Sequence, residues 1–404
     1  MSHTIDVGDH TVYSQLARES ALVALTTAGP TGEAALLPLL AQPLDWESVV
    51  SLATRERAIG PVARDLRRLG HGTVPKPVLE RLARMGLVTE FQLASLHDRL
   101  GKLLALLASH GIDALLLKGA GLAYTAYGSI DDRPMGDIDL LVRPDVAERA
   151  WKLAVENGWM RRKDVAQERS YDDHQHLSPL EDADGLQIGL EIHIALFTQQ
   201  APFALDASQL WERARRITIA GAPALVPSAE DQLVHAALHF AWSHEMTFGA
   251  WRTLRDVERI VASNALDWND VVARARAIRG GTCCYWTLRL ARDLAGVAVP
   301  DSVLDALSPR LPGAVVRRLT CYFAQQALPT PGAVISSVSL SRALWTLAIR
   351  PRAQRHGSSR PWLDTEEWVR GPDGGMHNAR RSGTRRFLAH SFGFLRSLAY
   401  LMGS

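Results

Sequence analysis

Asp137 and Asp139 stand on either side of Ile138 in the stretch DIDLLV. Alternate residues of a strand face the same side, about 6–7 Å apart along it, so this spacing aims two carboxylates at one point while Ile138 faces a core. Carboxylates so placed suit Mg²⁺, which takes a few protein ligands and completes its shell with water and phosphate oxygens. Two such ions supply the positioning and charge neutralisation that phosphoryl transfer requires. A third acid is available in GLEIHIAL, where Glu191 lies between Leu190 and Ile192. A lone carboxylate in an apolar strand is costly unless paired or metal-bound, and its position suits a base for an attacking hydroxyl. His193 shares the face of Glu191, and His174 and His176 fall on the partner strand of an expected hairpin. These histidines are either site residues or hydrogen-bonded members of the hairpin face.

Upstream, Lys118, Gly119, Ala120 and Gly121 sit where a short apolar run, DALLLKG, turns into a helix. Glycines at such a turn let the backbone approach an anion, and a helix N-terminus offers unpaired N–H groups to it. Lys118 and Arg133 are natural countercharges, and with Gly119, Ala120 and His193 they make up the expected nucleotide-binding set. Other readings of these residues fail. The dinucleotide fingerprint lacks its third glycine, where Tyr124 stands, and no G-K-[ST] follows for a P-loop. His235 and His239 are four apart, but H-E-x-x-H is absent, so a core or substrate-facing role is expected of them.

The elements that must position these residues can be read from periodicity. Residues 1–110 carry helical patterns only, including two short helices around Gly60-Pro61 and a long one from Pro77 to about His110. Strand and helix patterns mix over 111–226: DALLLKG and DIDLLV as strands, PDVAERAWKLAVENG as a helix, and HQHLSPL and GLQIGLEIHIAL as a hairpin about the turn EDADG. Helical periodicity returns at the N-cap Ser228 and continues through 227–350, with Trp242, Trp251, Trp268 and Trp286 as core residues. The Gly/Ser/Arg-rich stretch after 350 reads as loop, and 351–404 closes on the amphipathic segment RFLAHSFGFLRSLAYLM. The expected fold is therefore α+β: a small mixed-sheet core flanked by N-terminal helices and a C-terminal helical domain.

Composition bounds the rest. An apolar fraction of 47% over 404 residues describes a globular chain, and a net charge of +2 makes no gross electrostatic case for nucleic acid. Cys283, Cys284 and Cys321 form neither a disulfide framework nor a zinc site, and Cys283 and Cys284 are expected in helix packing. The N-terminus shows no signal-peptide pattern, and no apolar run of about eighteen residues occurs, so a transmembrane segment is not expected and a reducing cytoplasm is.

The stretch LLLKGAGLAYTAYGSIDDRPMGDIDLLV, followed at a distance by LEIHIAL, resembles the uncharacterised nucleotidyltransferase family of the DNA polymerase β-type superfamily. The resemblance implies that Gly119 belongs to a glycine motif, that Asp137 and Asp139 are the metal-binding pair and that Glu191 is the third carboxylate. It departs from the wider superfamily at Ala120, where a serine or glycine is usual, so phosphate contact there would fall to backbone N–H groups. The implied activity is transfer of a nucleoside monophosphate from a nucleoside triphosphate (ATP among them) to an acceptor hydroxyl, with two Mg²⁺ ions and release of pyrophosphate. A small-molecule or peptide natural product is the expected acceptor. Two other functions remain open at this point: a non-catalytic nucleotide-binding regulator, and a transferase toxin acting on tRNA, for which the basic 350–386 stretch would serve.

Overall fold

The computed structural model describes residues 16–70, 72–162, 174–198, 201–329, 338–349, 368–370 and 376–378. The amphipathic segment expected at the C-terminus lies outside these residues, as does most of the basic stretch before it.

Four helices open the described chain: α1 (Arg18–Leu25), α2 (Glu33–Leu40), α3 (Trp46–Arg55) and α4 (Ile59–Leu69). Asp45 caps α3 by accepting from the N–H groups of Glu47 and Ser48. The expected break at Gly60-Pro61 falls earlier, at Glu56–Ala58, and both residues sit in the first turn of α4. A proline is tolerated there because the first-turn N–H has no helical partner. Helix α5 (Lys76–Ser109) then runs 34 residues, about 50 Å at helical rise.

A seven-stranded mixed sheet follows, in the order β3-β4-β5-β2-β1-β7-β6. Its strands are β1 (Leu115–Leu116), β2 (Asp137–Leu141), β3 (Trp159–Arg161), β4 (Leu180–Asp182), β5 (Gly189–His193), β6 (Arg215–Ile219) and β7 (Ala222–Val226). Helices α6 (Lys118–Thr125), α7 (Pro144–Glu156) and α8 (Ala207–Glu212) connect or cover them. The apolar run expected as a strand over 113–119 pairs only at Leu115 and Leu116 before Lys118 starts α6. The expected hairpin forms as antiparallel β4 and β5, extended by a bridge between His176 and His193.

The C-terminal helices are α9 (Ala229–Leu238), which runs into a π-helical turn (His239–Ser243), then α10 (Ala250–Ser263), α11 (Trp268–Ala277), α12 (Gly281–Ala295), α13 (Asp301–Leu307), α14 (Gly313–Ala327) and α15 (Val338–Ile349). Ser228 caps α9 as its sequence suggests. Trp251 and Trp286 are fully buried, Trp242 and Trp268 pack at the edge of the core, and Cys283 and Cys284 are buried on α12. Within the stretch expected to be loop, 368–370 and 376–378 pair as the antiparallel strands β8 and β9.

Two apolar cores organise the chain. The larger joins α1–α4 and Leu82 of α5 to the helices after Ala229, so the two ends of the described chain share one interior. The second packs Leu93–Leu107 of α5 and the inner side of α7 against one face of the sheet. A small third cluster, Leu115, Leu117, Leu141, Leu196 and Leu210, covers part of the opposite face beneath α8. The part of that opposite face nearer Asp137 carries the polar residues.

Candidate active site

β2 and β5 are parallel neighbours, and their register sets Asp137 opposite Gly189, Asp139 opposite Glu191 and Leu141 opposite His193. Since adjacent strands are about 4.8 Å apart, Asp139 and Glu191 project side by side from one face. Asp137 shares that face, and Gly189 leaves room for it: a methyl group there would stand 3.3 Å from Asp137 Cβ. Leu117 N–H donates to the Asp139 carbonyl at 3.0 Å, which brings the next residue, Lys118, up against the same carboxylate. Lys118 Nζ is 2.8 Å from Asp139 Oδ1 and 3.9 Å from Glu191 Oε2. Its backbone is left-handed (φ +47°), a strained state for a residue with a side chain, and such strain gathers at functional sites.

His193 closes the cluster. Its Nε2 lies 2.9 Å from Asp139 Oδ1 and 3.3 Å from Glu191 Oε2. His176 donates from Nδ1 to the Leu177 carbonyl and turns Nε2 toward Glu191 at 3.8 Å. The His174, His176 and His193 rings stack edge-on with centroids 4.2 and 5.1 Å apart. Burial would raise the Asp139 carboxyl, but the Lys118 charge and the His193 hydrogen bond outweigh it and hold Asp139 well below the usual carboxylate range. Glu191 is lowered in the same way, burial being outweighed chiefly by its bond to His193. Asp137 is raised, by burial and then by the Asp139 charge.

Asp139, Glu191 and His193 each offer one ligand atom, all within 4.8 Å of one another. Two carboxylate oxygens and an imidazole nitrogen at that spacing fit a divalent cation, whose ligand bonds are about 2.0–2.2 Å long. Asp137 stands outside this three-residue cluster.

The glycine turn has two separate jobs. A methyl group on Gly121 would meet the Leu116 carbonyl oxygen at 2.8 Å, so this glycine lets α6 pack on β1. One on Gly119 would press on the Arg133 guanidinium at 3.2–3.4 Å. Ala120 is fully buried in the first turn of α6. Arg133, expected as a free countercharge, is buried in a two-pronged ion pair: Nε and Nη2 donate to Asp256 at 2.6 and 2.8 Å, and Nη1 to the Pro134 carbonyl. Tyr127 Oη adds a 2.7 Å hydrogen bond to the same Asp256 oxygen. The charge of Arg133 is thus matched inside the protein, and its guanidinium lies behind the turn at Gly119.

Two other arginines supply unmatched charge. Arg57, at the break between α3 and α4, lies against Gly136 just ahead of Asp137, where a methyl group would stand 2.4 Å from its Nη1. Arg252, on α10, packs on the Phe248 ring and approaches Gly249. Neither has an ion-pair partner among the described residues. Burial, followed by repulsion from Arg133 and Arg57, lowers Arg252 to about 10. Glu56 joins the two segments, because its fully buried carboxylate accepts from the Trp251 N–H at 3.0 Å near the start of α10. Sequence reading missed Arg57, Arg252 and Asp256. Only Asp256 left a trace, as an acid within the apolar stripe of Leu254, Val257 and Ile260.

A family model described as an uncharacterised nucleotidyltransferase matches residues 42–296. The chain belongs to this family. The matched range takes in the sheet and both segments that bring Arg57 and Arg252 to it. No curated protein matches the chain. No helix among the described residues of this nucleotidyltransferase is long and apolar enough to cross a membrane.

The helical wall near the carboxylates carries His235, His239 and His244, with consecutive ring centroids 6.2 and 4.3 Å apart. Burial, reinforced by Lys118, lowers His235 to about 3 and His239 well below its ordinary value; burial, reinforced by Arg252, lowers His244 to about 4. All three are neutral in the folded protein at pH 7. Below their ordinary value of 6.5 the unfolded chain binds the protons first, so their contribution is whole above that pH and is lost as pH falls. The slope is up to about 1.4 kcal/mol per pH unit for each histidine. The urea midpoint is expected to drop steeply between about pH 6.5 and pH 5, and a midpoint that stays level there contradicts neutral burial of the three rings.

Proposed function

We propose that this nucleotidyltransferase moves a nucleoside monophosphate from a Mg²⁺-bound nucleoside triphosphate onto an acceptor hydroxyl. The observation that carries the reading is the direct register of Asp139 with Glu191 on adjacent parallel strands, with Asp137 ahead of them on the same face. Asp139, Glu191 and His193, joined by Asp137 once phosphate oxygens contribute, would hold divalent cation, and Mg²⁺ would neutralise the phosphate charge there. The acceptor oxygen bonds to the α-phosphorus, the bond from that phosphorus to the β-phosphate oxygen breaks, and pyrophosphate departs with the electron pair. Glu191 takes the acceptor proton. Lys118 and the first-turn N–H groups of Gly119 and Ala120 face the phosphates, while Arg57 and Arg252 bind the part that leaves.

Purified protein incubated with Mg²⁺, each α-labelled triphosphate and a cell extract should release pyrophosphate and label one product, identified by mass spectrometry. Absence of pyrophosphate release with every triphosphate counts against the assignment. Hydrogen bonds to charged groups contribute about 1.5–3 kcal/mol, so Arg57→Ala and Arg252→Ala should each weaken triphosphate binding roughly 10- to 100-fold. Calorimetry with Mg·ATP checks this, and unchanged affinity in both variants removes the arginines from the site.

A further inference from the structure

The face of the sheet that carries the carboxylates does not end at His193. Beyond β5 the chain places Leu196 on that side, and α8 covers it with Leu210, both members of the third apolar cluster. Between this surface and the helices α9 and α11 lies a cavity of about 230 Å³. Leu196 and Leu210 form one wall, and Val234, Leu238 and Ile278 form the other. His235 also lines the cavity, and Leu196 ties the cavity to the carboxylate strands, because it lies three residues past His193 and packs in one cluster with Leu141. The cavity and the site of transfer are therefore adjacent.

Charge on the cavity wall is already matched. Asp231 accepts two bonds of 2.9 Å from Arg213, and Arg274 reaches Asp231 at 2.8 Å as well as Asp270. Two cations thus meet two carboxylates, so the deep wall brings no net charge, and the remaining lining carboxylate, Asp206, is exposed. One deep polar atom has no partner: Nε2 of His235, a residue 6% exposed. Gln209 and Asp206 also line the cavity but are exposed, at its mouth. An unpaired buried polar group costs about 1–3 kcal/mol, so a ligand that meets this nitrogen gains by it.

We propose that this cavity is the acceptor subsite, taking a neutral alkyl or phenyl-type group that presents a single hydrogen-bonding function to His235. The assignment rests on the proposed nucleotidyl transfer for the word acceptor, whereas the binding chemistry stands on the cavity alone. An apolar cavity of about 150 Å³ admits benzene, so this one has room for a substituted ring. A nucleobase suits it poorly, because a purine carries polar atoms around its edge while the Arg213, Arg274 and Asp231 groups of the deep lining are engaged with one another; each unmet atom would cost about 1–3 kcal/mol. The neutral imidazole, lowered to about 3 by burial, is able to accept or donate one hydrogen bond without bringing charge.

The test uses the full chain without nucleotide and takes 4-ethylphenol as probe, with erythritol as a polar control, by ligand-observed NMR and calorimetry. Saturable binding of 4-ethylphenol but not erythritol is expected. Ala277→Trp and Ala273→Trp, both at exposed positions on the cavity lining, should each weaken it at least about tenfold, and His235→Phe about three- to tenfold, with Mg·ATP affinity unchanged in all three. No saturable binding, or binding as tight in both tryptophan variants as in the native chain, overturns the proposal. So does competition between Mg·ATP and 4-ethylphenol with both weakened by Ala277→Trp, which would make the cavity the nucleobase site. Intact 4-ethylphenol binding in a protein that releases no pyrophosphate from any triphosphate would strike the proposed transfer and leave the cavity standing.

Discussion

Asp139→Asn is expected to lower kcat/KM for transfer by on the order of 10³-fold or more while leaving the chain folded. The amide keeps the shape of the carboxylate but loses the charge that faces Lys118 Nζ at 2.8 Å and His193 Nε2 at 2.9 Å. Glu191 remains near both, so neither cation is stranded, and the fold should survive with a lower melting temperature. Asp137→Asn separates catalysis from stability more sharply. Burial and the Asp139 charge raise the Asp137 carboxyl, so ionised Asp137 is disfavoured in the metal-free protein. Replacing it with a neutral amide should leave metal-free stability unchanged or slightly higher, yet transfer should fall as it does for Asp139→Asn. Pyrophosphate release and thermal unfolding without metal, measured on both variants, check the pair. Full activity in either variant sinks the carboxylate assignment.

Asp256→Ala is expected to destabilise the protein by about 3–5 kcal/mol, because it strands the buried Arg133 guanidinium. The cost should sit near the top of that range, since Arg252 is already repelled by both Arg133 and Arg57 in this part of the protein. Asp256 also holds Tyr127 Oη, which loses its acceptor at the same time. Replacing both partners, as in Arg133→Met with Asp256→Leu, should recover part of the loss by removing the unmatched charge rather than leaving it. Urea unfolding at pH 7 measures both variants. A loss below about 1 kcal/mol for Asp256→Ala would mean that the pair is not held in this buried geometry.

Both expectations come from different depths of the chain's information. Asp137, Asp139 and Glu191 announce themselves in sequence because each is an acid where strand periodicity asks for an apolar or surface residue. The sequence also foretold the mixed sheet, since alternation and short apolar runs report the local side-chain period directly. It could not say that Asp139 meets Glu191, because register across β2 and β5 joins residues fifty-two positions apart in the chain. His193 was assigned to nucleotide, and only that register brought it into the cation-fitting cluster with Asp139 and Glu191.

Arg133 shows the limit in the other direction. An arginine ahead of a D-x-D strand has the right charge and place for a phosphate, and no local pattern reveals that Asp256, on a helix far along the chain, meets it. Arg57 and Arg252 were invisible for the same reason: surface arginines are common, and what sets these two apart is the Glu56 carboxylate that draws α3 and α10 together.

The sequence by itself determined the chemistry available: three carboxylates, a lysine and a glycine turn with strand and helix spacing that aims them, and the family to which they belong. Local periods fix such features because they depend on neighbours within a few residues. The tertiary structure alone decided which charges are matched and which are left over, that the N-terminal and C-terminal helices share one core, and that an apolar cavity opens beside the carboxylates at His235. Those outcomes depend on long-range packing, where whether a charge is matched or left over depends on what the folded chain sets beside it.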